Sequence, residues 1–108
     1  MLILLDNNAP RGLARALIGH TVAEVRERGW AAYRNGDLLD VAEAAGFDVM
    51  VTSDKSIEYQ QNLQGRKIAF MVLTIGRWGP VRRMLVEIAA AVNVATPGSY
   101  EEVEIPYD

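Results

Sequence analysis

The chain has 108 residues, of which 50% are hydrophobic and 23% are charged, an ordinary composition for a globular protein. It contains no cysteine, which excludes a disulfide scaffold, a thiolate metal site and a cysteine nucleophile. The net charge of −3 argues against strong non-specific binding of nucleic acid. The length predicts one domain over residues 1–108, and the lack of a secretory signal or a long apolar run is typical of a cytoplasmic protein without membrane contact.

The first part of the chain predicts a strand, a helix and a second strand. "LILLD" at 2–6 is apolar on both faces, as a parallel strand covered on both sides is. "NAPRGLARALIG" predicts a helix with Asn8 as its cap and Gly19 at its end. "HTVAEV" at 20–25 is shorter and alternates, which predicts an outer strand.

The middle of the chain predicts a helix and a buried strand. "NGDLLDVAEAAG" at 35–46 places Leu38, Leu39 and Ala42 on one side and stops at a glycine. "FDVMVTS" at 47–53 is apolar throughout and predicts a strand covered on both faces. "SDKSIEYQQNLQG", which follows, predicts one or two short turns.

The last part predicts a strand, a long helix and an edge strand. "KIAFMVLT" at 67–74 is again apolar on both faces. "GPVRRMLVEIAAAVN" at 79–93 carries one apolar stripe and predicts a single helix. The tail predicts a weak edge strand that ends at Pro106. Strands that alternate with helices predict a three-layer α/β domain, in which helices flank a central, mostly parallel sheet of four to five strands.

Acidic residues lie where these elements meet. Asp6 ends the first strand, Asp54 follows the third, and Asp37 opens the helix between them. Because sites in parallel sheets form beyond the carboxyl ends of the strands, we expect these three carboxylates to converge. Oxygen ligands of this kind suit Mg²⁺ or Mn²⁺. The alternative is that each Asp serves only as a cap or turn residue.

Three segments resemble a known family: "LLDNNAPRGLARAL", "GWAAYRNGDLLDVAEAAGFDVMVTSDKSIEYQQNL" and "RKIAFMVL". They are similar to the small stand-alone PIN-like proteins related to VapC-type toxins, and the resemblance spans roughly residues 2–75. It implies a PIN-like fold, cleavage of RNA with Mg²⁺ or Mn²⁺, a cognate antitoxin as partner and a homodimer. Asp6, Asp37 and Asp54 match the acids of the family pattern, and Asn8, Ser53 and Asn62 would orient ligands, water or substrate.

The sequence also departs from that pattern at two positions. Asn7 stands where the family tends to have Glu, and Ser56 stands where it tends to have a further acid. A second hypothesis therefore stays open, namely a catalytically degenerate PIN-like protein that acts as a binding or regulatory module. Under it, the aromatic pair Trp30 and Tyr33 would cover a partner surface, whereas in a nuclease the pair could stack on a base.

Overall fold

The strands and helices alternate along the chain, as the sequence predicts. The structure, a computed structural model, describes residues 1–55 and 65–106. Its strands are β1 (Leu2–Leu5), β2 (Thr21–Glu24), β3 (Val49–Thr52), β4 (Ala69–Leu73) and β5 (Tyr100–Val103). Its helices are α1 (Leu13–Ala16), α2 (Asn35–Ala44), α3 (Trp78–Arg82) and α4 (Leu85–Asn93).

The five strands form one sheet in the order β2-β1-β3-β4-β5, and every neighbouring pair is parallel. The predicted three-layer α/β architecture is therefore confirmed, with β2 and β5 at the edges as expected. Leu5 is in register with Val51 of β3 and with Glu24 of β2. This register aligns the carboxyl ends of β1 and β3, and the Asp6 N–H donates to the Val51 carbonyl at 2.9 Å.

Two apolar cores form because successive residues of a strand point to opposite faces of the sheet. On one face, Ile3 and Met71 pack with Leu13 of α1 and Ile88 of α4. On the other face, Leu4, Met50 and Phe70 pack with residues of α2, chiefly Leu38, Leu39 and Ala42. Full burial of each large apolar side chain stabilises the fold by roughly 1.5–3 kcal/mol, so both layers of helices are firmly held.

The predicted bounds of two helices are wrong. The helix predicted from Asn8 to Gly19 is only the four-residue α1 and lacks a side-chain cap. The amide of Leu13 bonds the carbonyl three residues back, as in a tight turn, and the Asn8 side chain is engaged elsewhere. The helix predicted over 79–93 is split into α3 and α4, because Arg83 and Met84 also bond carbonyls three residues back.

The other boundaries agree within about two residues, as is usual for helix and strand ends. Gly46 adopts φ 87° just after α2, where the sequence predicts the helix to end. The turns predicted from 53 to 65 fall largely on residues 56–64, outside the described residues, and so does Asn62. None of the helices in the described ranges has the length and apolar character needed to span a bilayer.

Candidate functional site: a polar cleft at the carboxyl edge of the sheet

Two of the three predicted carboxylates line one cleft beyond the carboxyl ends of β1 and β3. The cleft has a volume of about 360 Å³, and Asp6, Asn8 and Asp54 form its polar side. Tyr33 and Arg34, which precede α2, also line it. The cleft thus forms where strand ends and the beginning of a helix meet, which is the usual position of a site in a parallel α/β sheet.

Asp6 is the buried acid of this cleft, with only 8% of its surface exposed. Its Oδ1 accepts a hydrogen bond from the backbone N–H of Asn7 at 2.8 Å, and its Oδ2 accepts one from the Thr52 hydroxyl at 2.9 Å. Both donors are uncharged, so neither forms an ion pair with Asp6. Each carboxylate oxygen keeps a further lone pair for a ligand.

Thr52, the fully buried last residue of β3, connects the two acids. Its hydroxyl donates to Asp6 and accepts a hydrogen bond from the backbone N–H of Asp54 at 3.0 Å. One side chain therefore fixes the position of both Asp6 and the backbone that carries Asp54. Thr52 was missed as a site residue, although its place at the end of an apolar strand and two residues before an Asp is a signal that the sequence contains.

Asn8 and Ser53 lock the loop after β1 onto the end of β3. Asn8 Oδ1 accepts the Ser53 backbone N–H at 2.9 Å, and the Ser53 hydroxyl donates to the Asn8 carbonyl at 3.2 Å. Gly76 packs against the same place, since a Cβ there would collide with the Asn8 carbonyl oxygen and lie 2.8 Å from Ser53 Oγ. Asn8 and Ser53 thus position other groups, and no local sequence signal reveals the need for glycine at position 76.

Asp37, the third predicted carboxylate, is exposed in the first turn of α2 and does not line the cleft. Arg34 and Leu38, three residues before and one residue after Asp37, do line it. Over residues 1–55 and 65–106, no group of three or more acidic, histidine or cysteine side chains is arranged to hold a metal ion. The pair that the structure brings together is therefore Asp6 and Asp54.

The chemistry of the cleft fits a hard divalent cation. The polar side chains that line the cleft supply carboxylate, amide and hydroxyl oxygens and one guanidinium, that of Arg34, and the lining contains no sulfur or imidazole. Such donors suit Mg²⁺ or Mn²⁺, which retain several water ligands and need only one or two carboxylates from the protein. Asp6 and Asp54 would be those ligands.

His20, Glu27 and Trp30 do not line the cleft. His20 bridges the N-terminal amine and Asn93 Oδ1, with distances of 3.2 and 2.8 Å from its two ring nitrogens. Glu27 accepts the backbone N–H of Glu24 at 2.9 Å. Trp30 packs edge-on against Phe47, with 5.9 Å between ring centroids, so only Tyr33 of the predicted aromatic pair lines the cleft.

A second acidic cluster lies at the opposite end of the sheet. Glu43 accepts hydrogen bonds from the backbone N–H groups of Lys67 and Ile68 and from Arg66, the last at 2.7 Å. Burial acts to raise the pKa of Glu43, but these donors and the Arg66 charge outweigh it and hold the pKa below its ordinary value. The pKa of Arg66 is correspondingly raised, because bonds to Asp40 and Glu43 outweigh its own burial.

Comparison with protein-family models, with curated proteins and with solved structures returns no match to this chain.

Proposed function

We propose that this chain is a PIN-like ribonuclease that depends on Mg²⁺ or Mn²⁺ and serves as the toxin of a toxin–antitoxin pair. The observation that carries the proposal is the pairing of Asp6, 8% exposed, with Asp54 in one open cleft. Two carboxylates at one site repel each other, and a bound cation removes that cost. The resemblance of residues 2–75 to PIN-like proteins supports the choice of RNA as substrate.

Each residue of the cleft has a role in this proposal. Asp6 and Asp54 bind the cation, while Thr52 fixes both through its hydroxyl. Mg²⁺ or Mn²⁺, when bound, would lower the pKa of a coordinated water and stabilise charge on the phosphate. Arg34 is the cationic side chain of the cleft and would bind the phosphodiester, and the exposed ring of Tyr33 would contact a base or ribose.

Asp37 remains part of the proposal in a weaker role. It adjoins Leu38, which lines the cleft, and would act through a water ligand of the cation, because such ions keep several waters. The proposal also includes a cytoplasmic location, a cognate antitoxin and a homodimer, as the resemblance implies. Exposed apolar residues available for protein contacts include Ile18 at 89% and Val86 at 80%.

The second candidate is a degenerate PIN-like binding module. It is favoured by the position of Asp37 outside the lining of the cleft and by Asn7 in place of the expected Glu. Under this candidate the same surface would bind a partner without cleaving it. Divalent metal would then leave both stability and RNA unchanged.

One experiment separates the two candidates. The melting temperature of the purified protein is measured with and without millimolar Mn²⁺, and an unstructured RNA is incubated under both conditions. At ten times the Kd, binding to the native state adds about 1.4 kcal/mol, or roughly 5 °C. We expect this rise together with Mn²⁺-dependent cleavage, and both should be absent in Asp6→Asn. Absence of both in the wild type would reject the nuclease.

A further inference from the structure

A second, larger groove lies beside the acidic cleft. Its volume is about 850 Å³, and it runs between α1, the end of β2 and the α3–α4 region. Its charged and aromatic side chains are Arg11, Arg15, Arg82, Glu24, Glu27 and Trp78. No part of the proposed cation site uses these residues.

The two glutamates of the groove are engaged with the protein. Glu24 forms an ion pair with Arg11, with 3.0 Å between Arg11 Nε and Glu24 Oε1, and Glu27 accepts the Glu24 backbone N–H. Within the described part of the chain, by contrast, neither Arg15 nor Arg82 forms an ion pair. With three arginines and two glutamates, the lining of this groove carries a formal charge of +1 in a protein of net charge −3.

Trp78 presents a flat aromatic surface in the same groove. A Cβ built on Gly12 would lie 2.7 Å from Cδ2, Cε2 and Cε3 of the indole, three neighbouring atoms of its six-membered ring. Equal distances to these atoms mean that one ring face covers the Gly12 backbone. The residue is still 36% exposed, so part of the ring remains accessible to a ligand. A ring held by the backbone on one side is a rigid platform for stacking.

The groove lies next to the acidic cleft, because two short segments of the chain link residues of one to residues of the other. Asn8 lines the cleft and Arg11 lines the groove, and three residues span no more than about 11 Å. Gly76 packs against Asn8 and Ser53, and Trp78 follows two residues later. A strand of nucleic acid could therefore contact both sites at once.

We propose that this groove binds a single-stranded nucleic acid, with Arg15 and Arg82 on its phosphates and a base stacked on Trp78. Free guanidinium groups beside an aromatic platform are the features that bind single strands without reading their sequence. The inference deepens the proposed function and rests on it for one point, that the bound strand is led to Asp6 and Asp54. Binding itself requires no metal, so it can be tested separately.

The test is fluorescence anisotropy with a labelled 12-nucleotide oligouridylate in EDTA, over a series of salt concentrations. The groove variant is Arg15→Gln/Arg82→Gln. The matched control is Arg26→Gln/Arg83→Gln, which removes the same charge from exposed arginines outside the groove. We expect the groove variant to lower the slope of log K against log salt by about 1.4, because two phosphate contacts on a single strand are lost. The control should keep the wild-type slope.

Trp78→Ala tests the stacking surface and should weaken binding by about 5- to 150-fold, while Trp78→Phe should retain part of the affinity. Tighter binding of oligouridylate than of oligothymidylate would assign RNA as the ligand, and equal binding would assign single strands of either kind. Identical affinity and salt slope in groove variant and control would overturn the proposal. So would failure of the wild type to bind either oligonucleotide, whether or not Mn²⁺ raises its melting temperature.

Discussion

Acidic side chains lie at both ends of the sheet, yet their surroundings differ. At the amino end, Asp48 accepts the Leu2 backbone N–H at 2.8 Å, and Glu43 accepts two backbone N–H groups and the Arg66 guanidinium. At the carboxyl end, the donors that the described residues offer to the Asp6 carboxylate are uncharged, and Asp6 shares an open cleft with Asp54.

The difference separates carboxylates that stabilise the fold from the carboxylates that we propose bind a cation. Glu43 holds α2 against the residues before β4, because its carboxylate accepts their backbone N–H groups. Asp6 and Asp54 instead line one open cleft, where like charges repel and a bound cation would lower that cost. Substitutions at the two ends should therefore have opposite consequences for stability and activity.

The largest expected effect is a loss of RNA cleavage when an acid at the carboxyl end of the sheet is replaced. Asp54→Ala should reduce Mn²⁺-dependent RNA cleavage by at least about 100-fold, because the loss of groups that merely support a metal ligand already costs 10- to 100-fold. Glu43→Gln, at the amino end, should leave the rate per folded molecule unchanged. Equal loss of cleavage in both variants, measured at matched folded concentration, would remove the distinction between the two ends.

Thr52→Val should weaken Mn²⁺ binding by about 10- to 100-fold, since it removes the hydroxyl that positions Asp6 and the backbone of Asp54. It should also cost about 1–3 kcal/mol of stability through unpaired buried groups. Thr52→Ser keeps the hydroxyl and should retain most of the Mn²⁺ affinity. Titration calorimetry of both variants checks this, and equal affinities would show that Thr52 does not act through its hydroxyl.

Replacing an acid by its amide should affect the free energy of unfolding differently at the two ends of the sheet. Glu43→Gln weakens bonds to backbone donors and to Arg66 and should lower the free energy of unfolding by about 1–3 kcal/mol. Asp6→Asn should change it by less than about 1 kcal/mol. The new amide can donate to Thr52 Oγ1, whose proton can turn to Asn8 Oδ1 at 3.1 Å. Urea unfolding of both proteins measures the difference, and a larger loss in Asp6→Asn would reverse the assignment.

Stability should depend on pH through Glu43. Because its pKa in the folded state lies below the ordinary value of 4.5, Glu43 stabilises the fold above about pH 4.5. That contribution is lost as the pH falls through the lowered pKa of the folded state. The stability difference between wild type and Glu43→Gln should therefore be constant at neutral pH and shrink below pH 4.5. A difference that stays constant down to pH 3 would contradict this role.

The smallest effect is expected at Asp37. Asp37→Asn should weaken Mn²⁺ binding only about 3- to 10-fold, in line with a contact made through water. A loss as large as that of Asp54→Ala would place Asp37 among the direct ligands. Titration with Mn²⁺ under the conditions used for Thr52 decides between these outcomes.

The sequence predicted the sheet and the meeting of Asp6 with Asp54 because both follow from local patterns. Apolar runs mark buried parallel strands, and parallel strands end at one edge. Asn8 failed as a helix cap because its amide oxygen bonds Ser53, 45 residues away, a contact that no local pattern contains. Gly12 beneath Trp78 and Gly76 against Asn8 were missed for the same reason, since the need for glycine arises only from packing between distant segments.

The most direct test of the account is calorimetric titration of Mn²⁺ into four proteins: wild type, Asp6→Asn, Asp54→Asn and Glu43→Gln. We predict that the wild type and Glu43→Gln bind with the same affinity, and that each change at the carboxyl end weakens binding by at least about 10-fold. No binding to the wild type, or equal binding to all four, would contradict the assignment of Asp6 and Asp54 as the cation site.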